Sequence, residues 1–198
     1  MTAIEPTTLK GRFVTLEPLD ASHHDGLVEA ASDGELWKLW YTTVPAPERM
    51  GAEIDRRLAL RDAGSMNPFT VFDAGGRVAG MTTFMNIDAT HRRVEIGSTW
   101  TRASSQRSGL NTQCKLLLLK HAFETLDCIA VEFRTNRLNT QSRRAIERLG
   151  AQLDGILRAH MIMPSGLPRD TAVYSITAAE WPTIQTHLQW LIDKPRSA

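Results

Sequence analysis

Gln106-Arg107-Ser108-Gly109-Leu110-Asn111 lies between an alternating run, Arg93-Val94-Glu95-Ile96-Gly97-Ser98-Thr99-Trp100, and a leucine-rich segment from Asn111 to Leu126. A strand, a short glycine-bearing loop and a helix in that order make an anion site. The first N–H groups of a helix have no intrahelical acceptor, and the aligned peptide dipoles place partial positive charge there. Gly109 would let the backbone approach a phosphate or take a positive φ, and Arg107 would add a mobile cation. Three or four charge-assisted hydrogen bonds of about 1.5–3 kcal/mol each would supply much of the ~8 kcal/mol behind micromolar affinity. An ordinary β–α turn has the same ingredients, so the loop alone leaves both readings open.

Outward from the loop, periodicity assigns the rest. In the run from residue 93, Val94, Ile96, Ser98 and Trp100 are expected on one face and Glu95, Gly97 and Thr99 on the other. In the following helix, Leu116, Leu119, Phe123 and Leu126 recur at helical spacing, with Lys115, Lys120 and Glu124 elsewhere. Ala130–Thr135 is a strand, and a helix from about Thr140 to Leu149 ends at Gly150, with Asn139 as its N-cap. Upstream, a strand at Arg12–Leu19 precedes a helix through Leu27 and Ala31. A second helix opens near Pro47, with Met50, Ile54 and Leu58 on its stripe and Arg56, Arg57 and Arg61 largely off it. Pro68–Phe72 and Arg77–Phe84 form a hairpin around Asp73-Ala74-Gly75-Gly76. Strands near 155–163 and 171–177 pair as a second hairpin, and a helix at about 178–192 closes the chain with Trp181, Ile184, Leu188 and Leu191 inward.

The βαβ crossover from 93 to 135 requires two parallel strands within an otherwise mostly antiparallel sheet. The fold class is therefore α/β with a mixed sheet, and not a doubly wound one. Composition suits a single domain over residues 1–198 with the last helix as an appendage: 42% hydrophobic and 23% charged residues are ordinary globular usage. A net charge of +1 gives no field for nucleic acid or an anionic membrane. No apolar run approaches a membrane span and the N-terminus lacks a secretory pattern, so a cytoplasmic protein is expected. Cys114 and Cys128 read as reduced packing residues, and no metal constellation emerges. Neither GxxxxGK[ST] nor GxGxxG is present, which removes the NTPase and dinucleotide folds.

The segment Gln106–Asn111 resembles the [Gln/Arg]-x-x-Gly-x-[Gly/Ala] signature of the Gcn5-related N-acetyltransferase (GNAT) superfamily, with Asn111 where Gly or Ala is usual. Val94-Glu95-Ile96-Gly97, the run Asn139–Gly150 and Arg169–Ser175 are similar to its Rim-type branch, which includes N-terminal acetyltransferases of ribosomal proteins. The likeness spans about residues 10 to 177. It implies the GNAT fold and an acyl-CoA-dependent N-acyltransferase using acetyl-CoA or another short acyl-CoA, without metal. Backbone N–H groups from Arg107 through Ser108, Gly109, Leu110 and Asn111 to Thr112 would hold the pyrophosphate. Thr99, Trp100 and Thr101 would splay from the parallel neighbour and pair with the pantetheine arm, and Asn139 would bind near the thiol end, compatibly with its role as a cap.

An attacking amine must lose a proton and the departing thiolate must gain one. By the same resemblance Glu95 is the candidate general base; a sheet glutamate satisfied by an arginine is the alternative. Many members place a tyrosine acid at the position of Ile146 here, so that group is missing. Ser142 becomes the candidate acid, with a capping-box role as its alternative, and Tyr174 ranks below it. Trp37, Trp40 and Tyr41 lie where similar proteins line the acceptor cleft, or else anchor the first helices. His91, Arg92 and Arg93 favour an acidic acceptor or simply a solvated strand start. The acceptor would be a protein N-terminus, an amino acid or amide, or another small amine. A non-catalytic acyl-CoA-binding module of the same fold is the alternative, and an exposed final strand or helix would allow a homodimer.

Overall fold

The computed structural model describes residues 4–194. One sheet contains β1 (Leu9–Lys10), β2 (Val14–Pro18), β3 (Met66–Asp73), β4 (Val78–Asp88), β5 (Arg93–Thr101), β6 (Ala130–Asn136), β7 (Gln152–Ile162) and β8 (Pro168–Thr177). Its order is β1-β2-β3-β4-β5-β6-β8-β7. Only β5 and β6 run parallel; every other neighbouring pair is antiparallel. The helices are α1 (His24–Ser32), α2 (Met50–Asp62), α3 (Leu110–Lys120), α4 (Thr140–Glu147) and α5 (Trp181–Asp193). This is the expected mixed sheet, with a short extra strand at residue 9 and a final hairpin that begins at Gln152 rather than 155. Past Lys120 the chain makes a single π turn, His121–Thr125, before the connection to β6.

Each sheet face has its own core. Val94, Ile96, Val131, Phe133, Tyr174 and Ile176 pack with the leucines of α3 and with Trp181 and Leu188 of α5. On the other face Leu27, Met50 and Ile54 of α1 and α2 cover Val78, Met81 and Trp100. Fully burying such side chains stabilises by about 1.5–3 kcal/mol each.

Trp100 is therefore not on the face of Val94 and Ile96. Met81 and Thr83 of β4 face Trp100 and Gly97, so β5 carries one residue more than its partner, and Ser98 sits there at φ +46°. That bulge moves Thr99 towards α3 and Trp100 towards α2, because one extra residue inverts the alternation. Two further expectations fail through burial of polar heads. Arg57 is 2% exposed, bonded to Glu53 and to Thr83 Oγ1 at 2.7 Å. Lys115 is 5% exposed, with Nζ donating to Thr99 Oγ1 at 2.8 Å and Thr82 Oγ1 at 3.2 Å. Burial holds the Lys115 ammonium below its ordinary pKa. Cys114 and Cys128 are both buried, which pushes the Cys128 thiol up to about 11.

The parallel pair is short. β5 and β6 are in register only from Arg93↔Ala130 to Glu95↔Glu132. Beyond that point β5 runs on to Thr101 beside β4, and β6 runs on to Asn136 beside β8. A gap opens in the middle of the sheet.

Candidate active site

The gap leads to the loop before α3. Gly109 is the helix N-cap residue at φ −70°, in right-handed backbone; the positive φ belongs to Arg107, at +57°. Among the described residues, the backbone N–H groups of Arg107, Ser108, Gly109, Asn111 and Thr112 have no acceptor in the protein. Ser108 Oγ instead donates to the Ser105 carbonyl at 2.6 Å, tightening the turn. A recess of about 380 Å³ adjoins the loop, lined by Phe13, Asp73, Gly75, Ser105, Ser108 and Gly109. Unpaired backbone donors at a helix start suit a phosphate-bearing ligand. A larger concavity on α5, around Thr186 and Trp190, lies on the outer face of that helix and contains none of these groups.

At the vertex of the gap stands Glu95, 5% exposed on the face that carries Gly97. Its Oε2 accepts from Asn86 Nδ2 at 2.7 Å and lies 3.5 Å from Arg134 Nε. Oε1 receives no hydrogen bond among the described residues. A Cβ at Gly97 would fall 2.6 Å from Oε1, so glycine there is what admits the carboxylate. Burial raises the pKa of Glu95 above the ordinary glutamate value, against Asn86, Arg134 and Arg169, while Glu132 raises it further. A carboxylate with one anchored oxygen, one open oxygen and a pKa above the usual glutamate value is suited to taking a proton from a bound group.

Asn139 sits where β6 leads into α4. Its Oδ1 accepts from the Ser142 backbone N–H at 3.0 Å, leaving the amide Nδ2 available. Ser142 is half-buried in the first turn of α4, and its Oγ bonds to nothing among the described residues. Tyr174 lies on the opposite face from Glu95. Its hydroxyl accepts from Arg143 Nε at 2.8 Å and donates to Glu147 Oε1 at 2.7 Å, which engages it in packing α4.

Of the predicted phosphate and pantetheine residues, Thr99 has its hydroxyl engaged by Lys115 and Thr82, and the buried Trp100 indole N–H has no partner. Thr101 lies half-buried, its carbonyl accepting from Gln106 Nε2 at 3.0 Å. Trp37, Trp40 and Tyr41 follow Leu36, which is anchored under α1 and α2. Trp40 is 60% exposed and meets Tyr41 edge to face at 5.6 Å. No contact among the described residues joins these rings to Glu95. Sequence reasoning missed Asn86 and Arg169. Asn86, at φ +47°, was signalled only by a polar residue at the end of an apolar strand.

An eight-stranded mixed sheet with a central parallel pair that parts just past Glu95, and a helix start aimed at the gap, defines an acetyltransferase architecture. The chain belongs to the GNAT acetyltransferase family, whose acetyltransferase (GNAT) domain matches residues 14–152. It is 28% identical over 127 residues, 64% of this chain and 67% of the relative, to YdaF of Bacillus subtilis (strain 168), which carries the name of a ribosomal N-acetyltransferase. A GCN5-related N-acetyltransferase from Brucella melitensis superposes with a TM-score of 0.88 at 30% identity, covering 100% of this chain and 90% of that one. Mycobacterium smegmatis RimJ, solved with CoA-disulfide, shares the fold at a TM-score of 0.80 and 22% identity, over 94% and 95% of the two chains. Among the described residues no helix is long and apolar enough to cross a membrane, and no group of three or more His, Cys, Asp or Glu is placed to hold a metal.

Proposed function

We propose that the chain transfers an acetyl group from acetyl-CoA to a primary amine, with Glu95 as general base. The single observation that carries this reading is the gap between β5 and β6, with Glu95 at its vertex and unpaired loop amides at its mouth. The fit to a CoA ester is good. The N–H groups of Arg107, Ser108, Gly109, Asn111 and Thr112 match pyrophosphate oxygens, Leu110 belongs to the same turn, and Thr99, Trp100 and Thr101 offer backbone pairing to an extended amide chain. Asn139 Nδ2 completes the thiol end.

Acetyl-CoA supplies an activated carbonyl. Oε1 of Glu95 removes a proton from the amine, directly or through water, as nitrogen bonds to that carbonyl and the C–S bond breaks. The Ser142 hydroxyl is positioned to return a proton to the sulfur. Proton transfer contributes roughly 10²–10⁴-fold, and the remainder comes from holding amine and thioester together. Trp37, Trp40 and Tyr41 border the acceptor side. The names of the Rim-type relatives support a peptide or protein N-terminus as one acceptor class, with small amines as the other.

Calorimetric titration with acetyl-CoA, followed by a thiol-release screen over amines with acetyl-CoA and succinyl-CoA in parallel, tests the proposal. Saturable binding with release on at least one amine is the expected result. No binding of either ester sinks it, and binding without release on any acceptor points to a non-catalytic module.

A further inference from the structure

The sheet face that carries Glu95 continues over β6 and β8, and its arginines are unequally matched. Glu132, the register partner of Glu95, is shared by Arg93 and by Arg134, whose Nη2 lies 2.9 Å from Oε2. Arg134 also reaches Glu95 at 3.5 Å. At the neighbouring edge Arg137 pairs with Asp170 at 3.1 Å. Arg169 is the exception. It precedes Thr171, which faces Asn136 across β8 and β6, so strand alternation puts Arg169 on this same face.

Arg169 makes no hydrogen bond and no ion pair among the described residues, and its Nε is buried without a partner. Burial holds its guanidinium below the ordinary pKa, and the charge of Glu95 works against that shift. A half-buried guanidinium with its Nε shut away from both protein and solvent partners is costly. Its planar fork matches a planar or tetrahedral oxyanion bound in bidentate fashion, and beside Glu95, away from the loop amides offered to the pyrophosphate, that oxyanion is a carboxylate of the acceptor.

Resting on the reading of Glu95 as the base, we propose that the acceptor is an amine bearing a carboxylate, which Arg169 binds while Glu95 faces the amino group. Arg134 cannot serve as well, since both glutamates occupy it. The carboxylate would belong to a free amino acid or to an acidic residue at a peptide N-terminus; the recognition chemistry is the same. Binding would also separate the charges on this face, because Arg169 would then be neutralised by substrate and would lower the Glu95 pKa less.

The test compares matched acids and amides as acceptors: glycine against glycinamide, and aspartyl-alaninamide against asparaginyl-alaninamide. The expected result is a preference in kcat/KM for the acid of about 10- to 100-fold in at least one pair. The pair that shows it identifies the source. In Arg169→Met the acid-to-amide ratio collapses towards one, and Arg169→Lys restores part of it. Equal use of acid and amide in both pairs by the wild type overturns the inference while leaving acetyl transfer intact. Should no amine be acetylated, binding decides: N-acetylglycine, titrated into the CoA-loaded protein, binds more tightly than N-acetylglycinamide, and equal affinities overturn the proposal. Acetyl-CoA binding reports that each variant is folded and separates this failure from that of the acetyltransferase reading.

Discussion

Gly97 underlies the open oxygen of Glu95, so closely that a single methyl group at that position would sit 2.6 Å from Oε1 and 2.7 Å from the Met85 sulfur. The carboxylate proposed as the base is thus set by an absence of side chain two residues further along the same strand. Gly97→Ala forces either the carboxylate or Met85 aside. We expect kcat/KM to fall about 10- to 100-fold, in line with the cost of displacing a catalytic group by a fraction of an ångström. Acetyl-CoA affinity, measured by calorimetry, should change little; an unaffected turnover would show that Glu95 is not positioned through Gly97.

Glu95 has a pKa raised by burial, so in the fold it holds its proton to higher pH than in the unfolded chain. Turnover by the deprotonated form should therefore rise with pH through a value above the usual glutamate range. The same shift makes the native state lose stability as pH rises from the unfolded to the folded pKa, because the native state binds more protons across that window. Glu95→Gln should lower kcat about 10²–10⁴-fold and flatten the acidic limb of the profile. Its melting temperature relative to wild type should be more favourable above the window than below it. A pH-independent difference between the two melting temperatures would exclude titration of Glu95 there.

Asn139 uses its oxygen as a helix cap and keeps its amide in reserve. Asn139→Asp preserves the cap and removes the donor. Stability should hold, while KM for acetyl-CoA rises about 3- to 10-fold, the worth of one hydrogen bond. Asn139→Ala should in addition cost about 1 kcal/mol in unfolding free energy. If the aspartate variant matched wild type in KM, the residue would be a cap alone.

Lys115 is enclosed with two threonine hydroxyls, and among the described residues it pairs with no carboxylate. Its folded pKa is depressed, so the unfolded state binds more protons at intermediate pH, and stability grows as pH rises from the folded pKa through the ordinary lysine range. Lys115→Met removes the buried ammonium and leaves Thr82 and Thr99 bonded to each other at 2.8 Å. Unfolding at neutral pH should be harder by on the order of 1 kcal/mol. A large loss would mean that the lysine holds the strand bulge together.

Most of the sheet could be read in advance because its strands alternate and its turns contain glycine, and the βαβ crossover then forced one parallel pair. Trp100 went to the wrong face because the bulge is a backbone event at Ser98, a residue type with no particular signature, and one extra residue inverts everything after it. Arg57 and Lys115 were placed off the apolar stripes of their helices, and their burial was missed because charge was counted and the apolar stem was not. Four consecutive leucines, Leu116 to Leu119, are the sequence sign that α3 is enclosed on nearly every side, lysine included. In the candidate site, the places of Glu95, Asn139 and the loop followed from order along the chain together with the family resemblance, and their roles stand as proposals. Those of Asn86 and Arg169 did not, since each meets the site only in the folded sheet, Asn86 at the irregularity between β4 and β5 and Arg169 at the start of β8.

An open sheet ordinarily has two rims, and proteins guard both against stray pairing. This one has a third, inside the molecule, where β5 and β6 part after Glu95 and Glu132. Its backbone groups are as ready to be matched as those of any outer strand, yet they line a slot rather than a flank. A folded neighbour cannot slide into it; a narrow, single-file chain with amides of its own can. If the pantetheine chain enters there, as proposed, the slot selects by cross-section before any side chain is consulted.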